Sequence, residues 1–413
     1  MADETNRRRA VKPGEPDAPR VEHDRSLSPS KGHVWRIRSL ATARQVLRAR
    51  AQTVQAGFTA EKIPRGWFTK HPILISDGPD HDEQRSRVAR FFAPAVVSDR
   101  YLAQMEACAD RLLDEAGATT RLDDLALLYT VEVTAEIVGL TAAPVPKMAK
   151  RLVSFFNQPP FDITRADLGR TPGQWAKAAW NGLVPIARFW FADVRPAVRA
   201  RRRASQNDVI SHLIAEGYSD ADILVECVTY GTAGMVTTRE FIAMAAWHLL
   251  RDKGLCDRYK VADAPERTAI LHELIRLEPV VGHLYRRVAE PFEISDGDQS
   301  WTVETGDLLD VCTRPANADP EAVGADSLDI CPYRPVTPGV SPYGLSFGDG
   351  AHKCPGQPLA ILESDVLLTR LLARNPTLVT DPTLGWDDLI EGYTLRDVRI
   401  GLEPVSPSGT GSE

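Results

Sequence analysis

Residues 347–356 read FGDGAHKCPG and contain one cysteine, Cys354. Glycines at 348, 350 and 356 let the backbone turn sharply and come close to a flat ligand. We expect a helix to begin just after this turn, where backbone amides point at the sulfur and favour its charged form. An isolated free cysteine is most often a small buried hydrophobic residue. Whether Cys354 is such a residue or a ligand-binding thiolate must therefore be judged from its neighbours.

Those neighbours match a known pattern. The matching positions are Phe347, Gly350, His352, Gly356, Leu359, Ala360 and Glu363. With Cys354 they make the segment resemble the haem-thiolate loop of cytochrome P450s. The resemblance implies haem b with Cys354 as the axial ligand of its iron, and places Phe347, Gly348 and Gly356 against the cofactor. A thiolate ligand pushes electron density onto the iron and favours O–O bond cleavage.

A second motif overlaps this loop. Residues 344–348 read GLSFG, which matches the G-x-S-x-G nucleophile elbow of serine hydrolases, a motif that requires a strand before the serine and a helix directly after it. Prolines at 335, 338 and 342 make the approach irregular, and the glycine-rich turn follows where the helix should begin. This context argues against Ser346 as a nucleophile.

Length and composition favour one large domain. The chain has 413 residues, of which 43% are hydrophobic and 25% charged, as in ordinary globular proteins. We predict a flexible polar tail over residues 1–33, a P450 domain over 34–405 and a short flexible tail over 406–413. The formal charge of −7 argues against nucleic acid as the main partner.

Six cysteines without C-x-x-C spacing indicate neither a zinc site nor a disulfide scaffold. We find no apolar span long enough to cross a bilayer. Together these features lead us to expect a cytoplasmic protein that does not bind membranes.

The expected fold class is mainly α with a small β-region, in a single domain. Apolar residues recur at helical spacing from about residue 98 to 275. Strand-like patches are short and include 292–294, 308–311 and 398–402. This matches the P450 fold that the cysteine loop implies.

Three charged residues match a structural network of the same family. Glu273 and Arg276 are three apart on one predicted helix, where they can pair. With the later Arg334 they match the E-x-x-R motif and distal arginine of P450s. The resemblance implies a buried ion network beneath the cysteine loop, with a structural rather than a catalytic role.

The haem propionates are anions that need cations or donors when buried. His81, Arg85, Arg287 and His352 match the scattered family positions that supply them. Each one alone would be taken for an ordinary surface cation. The four in the expected order favour a cofactor role.

Residues from about 220 to 250 are predicted to form one long apolar helix that contains AGMVTT at 233–238. It resembles the P450 helix that passes over the distal face of the haem. A threonine hydroxyl there can bond the carbonyl four residues back and bend the helix. We therefore assign oxygen handling to Ala233, Gly234 and Thr237.

The same helix departs from the family pattern at Val236, where an acid usually precedes the threonine. Proton delivery must then differ. Glu240, one turn later, is a candidate substitute, and so are ordered water and a substrate hydroxyl. The departure favours an atypical reaction, either substrate-assisted or ending in coupling or desaturation.

The expected substrate pocket combines aromatic and polar side chains, which suits a medium-sized, partly aromatic small molecule. Its candidate residues are Trp67, Phe68, Phe155, Phe156, Thr229, Met235, Val236, His283, Leu284 and Tyr393. Family analogy indicates hydroxylation or oxidative coupling in bacterial natural-product or antibiotic biosynthesis.

No electron-transfer domain is visible in the chain, so the resemblance implies a ferredoxin and a ferredoxin reductase as donors. They would dock near Lys353, Arg87 and Arg90. The alternative is a catalytically silent, P450-shaped protein that recruits or activates another enzyme. Such a protein has no chemical need for an iron ligand.

Overall fold

Helices dominate the chain. The computed structural model describes residues 18–24, 32–57, 72–165 and 168–403. Over these residues the α-helices are α1 (Leu40–Arg48), α2 (Gly78–Phe92), α3 (Pro94–Val96), α4 (Leu102–Glu115), α5 (Leu122–Val138), α6 (Val145–Val153), α7 (Pro172–Phe189), α8 (Arg195–Arg203), α9 (Val209–Ala215), α10 (Asp220–Thr229), α11 (Thr237–Arg251), α12 (Lys253–Val261), α13 (Ala264–Leu277), α14 (Thr313–Asn317), α15 (Pro320–Val323) and α16 (Gln357–Ala373).

Shorter helical segments join several of these helices. Three are π-helical, at Val97–Tyr101, Trp190–Val194 and Tyr230–Val236, and two are 3₁₀ turns, at Ser154–Phe156 and Gly350–His352.

The strands form small sheets. They are β1 (Val21–Asp24), β2 (Val34–Ile37), β3 (Thr53–Gln55), β4 (Thr119–Arg121), β5 (His283–Val288), β6 (Phe292–Asp296), β7 (Gln299–Val303), β8 (Leu308–Cys312), β9 (Thr377–Thr380), β10 (Thr383–Asp387), β11 (Gly392–Arg396) and β12 (Arg399–Gly401). The predicted strand patches lie in β6, β8 and β12, so the mainly α class with a small β-region is confirmed.

The largest sheet has five strands in the order β1-β2-β8-β5-β3. Its one parallel pair is β2 with β8, where Val34 lies opposite Leu308. Strand β5 runs antiparallel to β8, with His283 opposite Cys312. Strands β4, β12 and β9 form a three-stranded sheet, and β6–β7 and β10–β11 are hairpins.

Side-chain caps set where the central helices begin. Ser219 and Asp222 form a reciprocal capping box at the start of α10, which satisfies amide groups that have no partner within the helix. Asp263 accepts a hydrogen bond from the amide of Glu266 at the start of α13. These caps fix the register of the two helices that carry the candidate oxygen-handling and ion-network residues.

The predicted long helix is one helical run from Asp220 to Arg251, but it changes type. Helix α10 is followed by the π segment 230–236 and then by α11. Helix α5, which is buried on most faces, packs against that π segment and against α11. The run therefore crosses the main hydrophobic core, as the sequence predicts.

The predicted tail over residues 1–33 needs correction at its end. Val21–Asp24 form strand β1 and pair with β2. Arg20 makes ion pairs with Asp296 and Asp319, each at 2.6 Å. The polar composition of this segment did not predict a strand, because strand pairing and ion pairs rather than apolar burial hold it in place.

Across the described ranges, every helix is too short or too polar to span a lipid bilayer.

Candidate active site

The cysteine loop is a tight turn held from both sides. Gly348 and Gly350 have φ angles of +69° and +67°, a left-handed conformation that glycine adopts without strain. A Cβ at 350 would lie 2.2 Å from the carbonyl oxygen of Leu47. The amide of Cys354 donates to the carbonyl of Phe347 at 2.7 Å. Sequence and packing therefore both require glycine at 350.

Asp349 ties the loop to helix α1. Its carboxylate accepts hydrogen bonds from Arg44 at 3.0 Å and from Arg48 at 3.1 Å. It also accepts one from the amide of Gly350 at 2.7 Å. The loop is thereby fixed independently of any ligand.

The thiol of Cys354 is accessible yet lies deep in the fold. The residue is exposed to solvent, although enough protein surrounds the sulfur for burial to raise the pKa of the thiol. Hydrogen bonds from the amides of Gly356 and Gln357 and the charge of Arg85 oppose that rise. Because burial and exposure coexist, we place the sulfur in a cleft rather than on the outer surface.

Two histidines stand beside this cleft. The rings of His81 and His352 are 4.1 Å apart, and Nε2 of His352 is 3.1 Å from a carboxylate oxygen of Asp77. Burial lowers the pKa of His81 to about 4, and the charges of His352 and Arg85 act in the same direction. Its buried Nε2 has no hydrogen-bond partner among the described residues.

Two arginines add positive charge beside these histidines. Arg85 donates to the carbonyl of Lys353, which brings it to the cysteine loop. Arg286 is buried, and burial lowers its pKa to about 10, against the opposing charge of Asp77. Arg286, His81, His352 and Asp77 line one small cleft. The unpartnered Nε2 of His81 and the two arginine cations, beside an accessible thiol, suit a ligand with carboxylate groups.

The structure brings Arg286, rather than the predicted Arg287, to this cleft. The guanidinium of Arg287 donates to the carbonyl of Gly306 at 3.1 Å. Successive residues of a strand point to opposite faces, so only one of two adjacent arginines on β5 reaches the histidines. The sequence shows the pair RRVA but not which face of the strand is turned inward.

The predicted ion network is present. Arg276 binds the carboxylate of Glu273 through two hydrogen bonds of 2.6 and 2.9 Å. Arg334 donates to the same carboxylate at 3.1 Å. Arg276 also donates to the carbonyls of Asn317 and Ser327. Because all three charged side chains are buried and paired, the network fixes α13 against the segment before the cysteine loop.

Ser346 belongs to the same packing. Its hydroxyl donates to the carbonyl of Ile275 at 2.6 Å and accepts from the amide of Asn317 at 2.9 Å. A hydroxyl engaged in this way is a structural bridge between α13 and α14. It lacks the strand–turn–helix setting of a nucleophile.

The candidate oxygen-handling residues lie in and beside the π segment 230–236. The hydroxyl of Thr237 donates to the carbonyl of Ala233, four residues back, as predicted. Thr130 of α5 donates to the carbonyl of Met235 at 2.8 Å. Ala233 is exposed although its helix crosses the core. The widened helix thus has an accessible face next to Thr237, a feature that π-bulges often provide at functional sites.

Close packing holds the π segment in place. A Cβ at Gly231 would lie 2.6 Å from a methyl carbon of Leu152 on α6. A Cβ at Gly234 would lie 3.6 Å from the methyl group of Thr134. Only the glycine at 231 is therefore required by space, and this contact is absent from the sequence pattern.

Glu240 is buried and paired with arginines, which opposes a role as a proton donor. It is buried and binds Arg396 through hydrogen bonds of 2.7 and 2.8 Å. It also contacts the guanidinium of Arg239. Val236 is buried as well. No acid precedes Thr237, and the next one is held between two arginines.

The predicted pocket residues have several different partners in the fold. His283 is 2.6 Å from Asp310 and 3.4 Å from Glu391, and Asp310 raises its pKa against the effect of burial. Tyr393 lies under the guanidinium of Arg314, 5.2 Å away. Phe155 packs edge-on against Phe189.

The other predicted pocket residues are also accounted for within the fold. Met235 is buried, Phe156 packs against the core, Thr229 donates to the carbonyl of Val225, and Leu284 packs against the sheet core. Trp67 and Phe68 lie outside the described residues. The convergence of these side chains on one substrate pocket stays a prediction.

The comparisons with known proteins agree with this geometry. A family model described as Cytochrome P450 matches residues 260–380, which include the ion network and the cysteine loop. The chain is similar to cytochrome P450s over both features. Members of this family bind haem b through a cysteine thiolate and are oxidoreductases.

Curated relatives extend the similarity over most of the chain. The chain is 25% identical over 366 residues to Cytochrome P450(MEG) of Priestia megaterium. This alignment covers 84% of this chain and 82% of the relative. It is 26% identical over 395 residues to Cytochrome P450 119 of Sulfolobus acidocaldarius, covering 89% and 94% of the two chains.

Solved structures share the fold. A mutant of P450 EryK in complex with erythromycin B superimposes with a TM-score of 0.75 at 22% identity, covering 95% of each chain. Ligand-free CYP164A2 of Mycobacterium smegmatis gives a TM-score of 0.73 at 26% identity, covering 91% of this chain and 92% of the other.

Proposed function

We propose that this P450 uses O2 and electrons from an external donor to oxidise a medium-sized, partly aromatic small molecule in bacterial natural-product biosynthesis. The single observation that carries the proposal is the accessible Cys354 thiol, which sits on a preformed loop and receives hydrogen bonds from two amides. A structural cysteine needs neither access nor these donors.

The residues around the thiol fit a haem group. Cys354 would hold the iron. His81, Arg286 and His352 would bind its carboxylates, with Arg85 between them and the sulfur. Gly348 and Gly356 leave space for the close approach of a macrocycle, and Phe347 precedes them. When bound, the haem supplies the oxygen-activating chemistry.

The protein contributes orientation and proton control. Thr237 bonds the carbonyl of Ala233 and so fixes an accessible notch that includes Gly234. Val236 stands in place of an acid, and Glu240 is tied to Arg396, so neither position supplies a free carboxyl proton. We infer that protons come from water or from a substrate hydroxyl, which favours oxidative coupling or a substrate-assisted reaction over plain hydroxylation.

Relatives support a role in biosynthesis. Similar proteins include the polyketide biosynthesis cytochrome P450 PksS of Bacillus subtilis, 24% identical, and the mycinamicin IV hydroxylase/epoxidase of Micromonospora griseorubida, 25% identical. These roles belong to those proteins. For this chain they favour a natural-product substrate without naming it.

Electrons would come from a ferredoxin and its reductase. Of the predicted docking cations, Lys353 is exposed and lies over the ring of Tyr343, and Arg90 lies over the ring of Phe91. Arg87 is already paired with Glu83 and Glu216. Lys353 and Arg90 are therefore the stronger candidates for contact with an acidic donor.

The test is the spectrum of the reduced, carbon monoxide-bound protein. Wild type should show the red-shifted Soret band of a thiolate ligand. Cys354→Ala should lose that band, whereas the control Cys312→Ala, at a buried cysteine of β8, should keep it. A thiolate band that persists in Cys354→Ala would contradict the assignment.

Turnover distinguishes the enzyme from the alternative, a catalytically silent protein that recruits a partner. With ferredoxin and reductase present, the enzyme should consume electrons faster when a substrate is added. A thiolate-bound protein that never consumes electrons or oxygen across a broad compound library would favour recruitment.

A further inference from the structure

An exposed hydrophobic stripe runs along helix α7 and into the π segment that follows it. Trp180, Leu183 and Phe191 are 69%, 65% and 62% exposed. Ala187 continues the stripe between them. Their spacing of three or four residues places them on one face. At a rise of about 1.5 Å per residue the stripe is roughly 16 Å long. Large apolar side chains aligned in this way mark interaction surfaces.

Beside the stripe lies a groove between α6 and α7, of about 720 Å³. Val184 and Ala187 on α7 and Phe191 in the following π segment form its apolar wall, while Lys147 and Lys150 lie on α6. We call this the α6–α7 groove. It lies between two helices, and a concave site of this kind fits a helix better than a flat lipid surface.

The charge of the groove is one-sided. Lys147, Lys150 and Arg188 are exposed, and within the described part of the chain none of the three makes an ion pair. Arg151, also in the groove, is neutralised by two hydrogen bonds of 2.6 Å to the buried Asp193. Three free cations on a chain with a net charge of −7 form a local basic site that attracts an acidic partner.

We propose that the α6–α7 groove binds an amphipathic, acidic helix of a partner protein. Apolar side chains of that helix at three- and four-residue spacing would meet the stripe, and its carboxylates would meet Lys147, Lys150 and Arg188. A second copy of this chain fits less well, because a symmetric contact would bring the same lysines face to face.

Helix α6, which forms one side of the groove, also packs against the π segment 230–236. Leu152 of α6 packs onto Gly231 in the π segment, whereas the proposed electron-donor surface is built around Lys353 and Arg90. The partner in the groove is therefore a different protein from the electron donor. It acts on the side of the molecule that carries Thr237, where substrate is handled, and this last assignment rests on the proposed function.

The test measures binding of a labelled, four-turn helical peptide that carries leucines at matching spacing and glutamates elsewhere. A peptide with the same composition in scrambled order is the control probe. Full-length, haem-loaded wild type should bind the patterned peptide, and added salt should weaken binding. Two variants probe the groove, Lys147→Glu/Lys150→Glu/Arg188→Glu and Trp180→Ser/Phe191→Ser.

Each groove variant should lose affinity by about tenfold or more. The control Lys260→Glu/Val261→Ser, where Val261 is 86% exposed on α12, should bind like wild type. The carbon monoxide spectrum shows that every variant keeps its fold. Binding needs no turnover, so its failure leaves the haem-thiolate proposal intact.

Three results would overturn the proposal. One is equal binding of both peptides, or of wild type and the groove variants. Another is binding to vesicles of phosphatidylglycerol and phosphatidylcholine that depends on the groove while the peptide does not bind, which indicates a membrane surface. The third is a wild-type dimer that Trp180→Ser/Phe191→Ser converts to monomer, which indicates a second copy.

Discussion

The carboxylate of Glu240 binds both terminal nitrogens of Arg396, at 2.7 and 2.8 Å. Glu240 lies on α11, one turn beyond Thr237, and Arg396 lies on strand β11, so the pair joins these two elements. This bidentate geometry gives Glu240 a structural role.

Glu240→Gln should therefore destabilise the protein without changing its coupling of electrons to product. Removal of one partner of a buried ion pair costs about 3–5 kcal/mol. Urea unfolding of the haem-loaded protein measures this loss. The exposed Glu290→Gln should leave stability unchanged. A variant of normal stability that leaks more hydrogen peroxide would instead give Glu240 a part in proton delivery.

Val236→Asp should alter the fraction of electrons lost as hydrogen peroxide, because it restores an acid directly before Thr237. Val236 is 3% exposed, so the new carboxyl would titrate above its usual range. Val236→Asn has nearly the same size and no acid, and serves as the control. If both variants match wild type in rate and in peroxide released, proton supply does not depend on this position.

Arg286→Ala should release haem faster than Arg287→Ala. Arg286 is buried in the cleft with His81 and His352, whereas Arg287 bonds Gly306. Transfer of haem to excess apomyoglobin gives the two rates. Faster release from Arg287→Ala would reverse the assignment.

Arg334→Ala should cost about 3–5 kcal/mol of stability, because it leaves the buried Glu273 with one cation fewer. Asp326→Asn is the matched control. Asp326 also bonds Arg334 but is largely exposed, and its loss should change the unfolding free energy little. Chemical denaturation of both variants would show the contrast, and equal losses would argue against a dominant role for Glu273.

His272 should make the protein sensitive to mild acid. Burial lowers the pKa of His272 to about 4, against the opposing effect of Glu273, from an ordinary value of 6.5. The unfolded chain therefore binds the proton more readily, and the stability from neutral His272 is complete above pH 6.5 and lost as the pH falls towards 4.

His272→Gln should shift the midpoint of acid unfolding to lower pH. The ring of His272 packs against Tyr343, so stability at pH 8 serves as a control for lost packing. An unchanged acid midpoint would assign the sensitivity to other groups, such as His81.

The sequence predicted features that depend on local pattern. The cysteine turn, the Thr237 hydrogen bond and the pairing of Glu273 with Arg276 all follow from spacing along the chain. It could not predict features that depend on strand face or tertiary packing. The inward face of β5 decides between Arg286 and Arg287, and Arg396 reaches Glu240 from 156 residues away.

The pairing of strand β1 with β2 has a practical consequence. Strand β1 covers the edge of β2, whose residues Val34, Trp35 and Ile37 are buried. A shortened protein that starts at residue 34 would present an apolar strand with unpaired backbone groups, which other chains can extend. Such a preparation should aggregate or swap strands even though it retains every residue that we propose to bind haem.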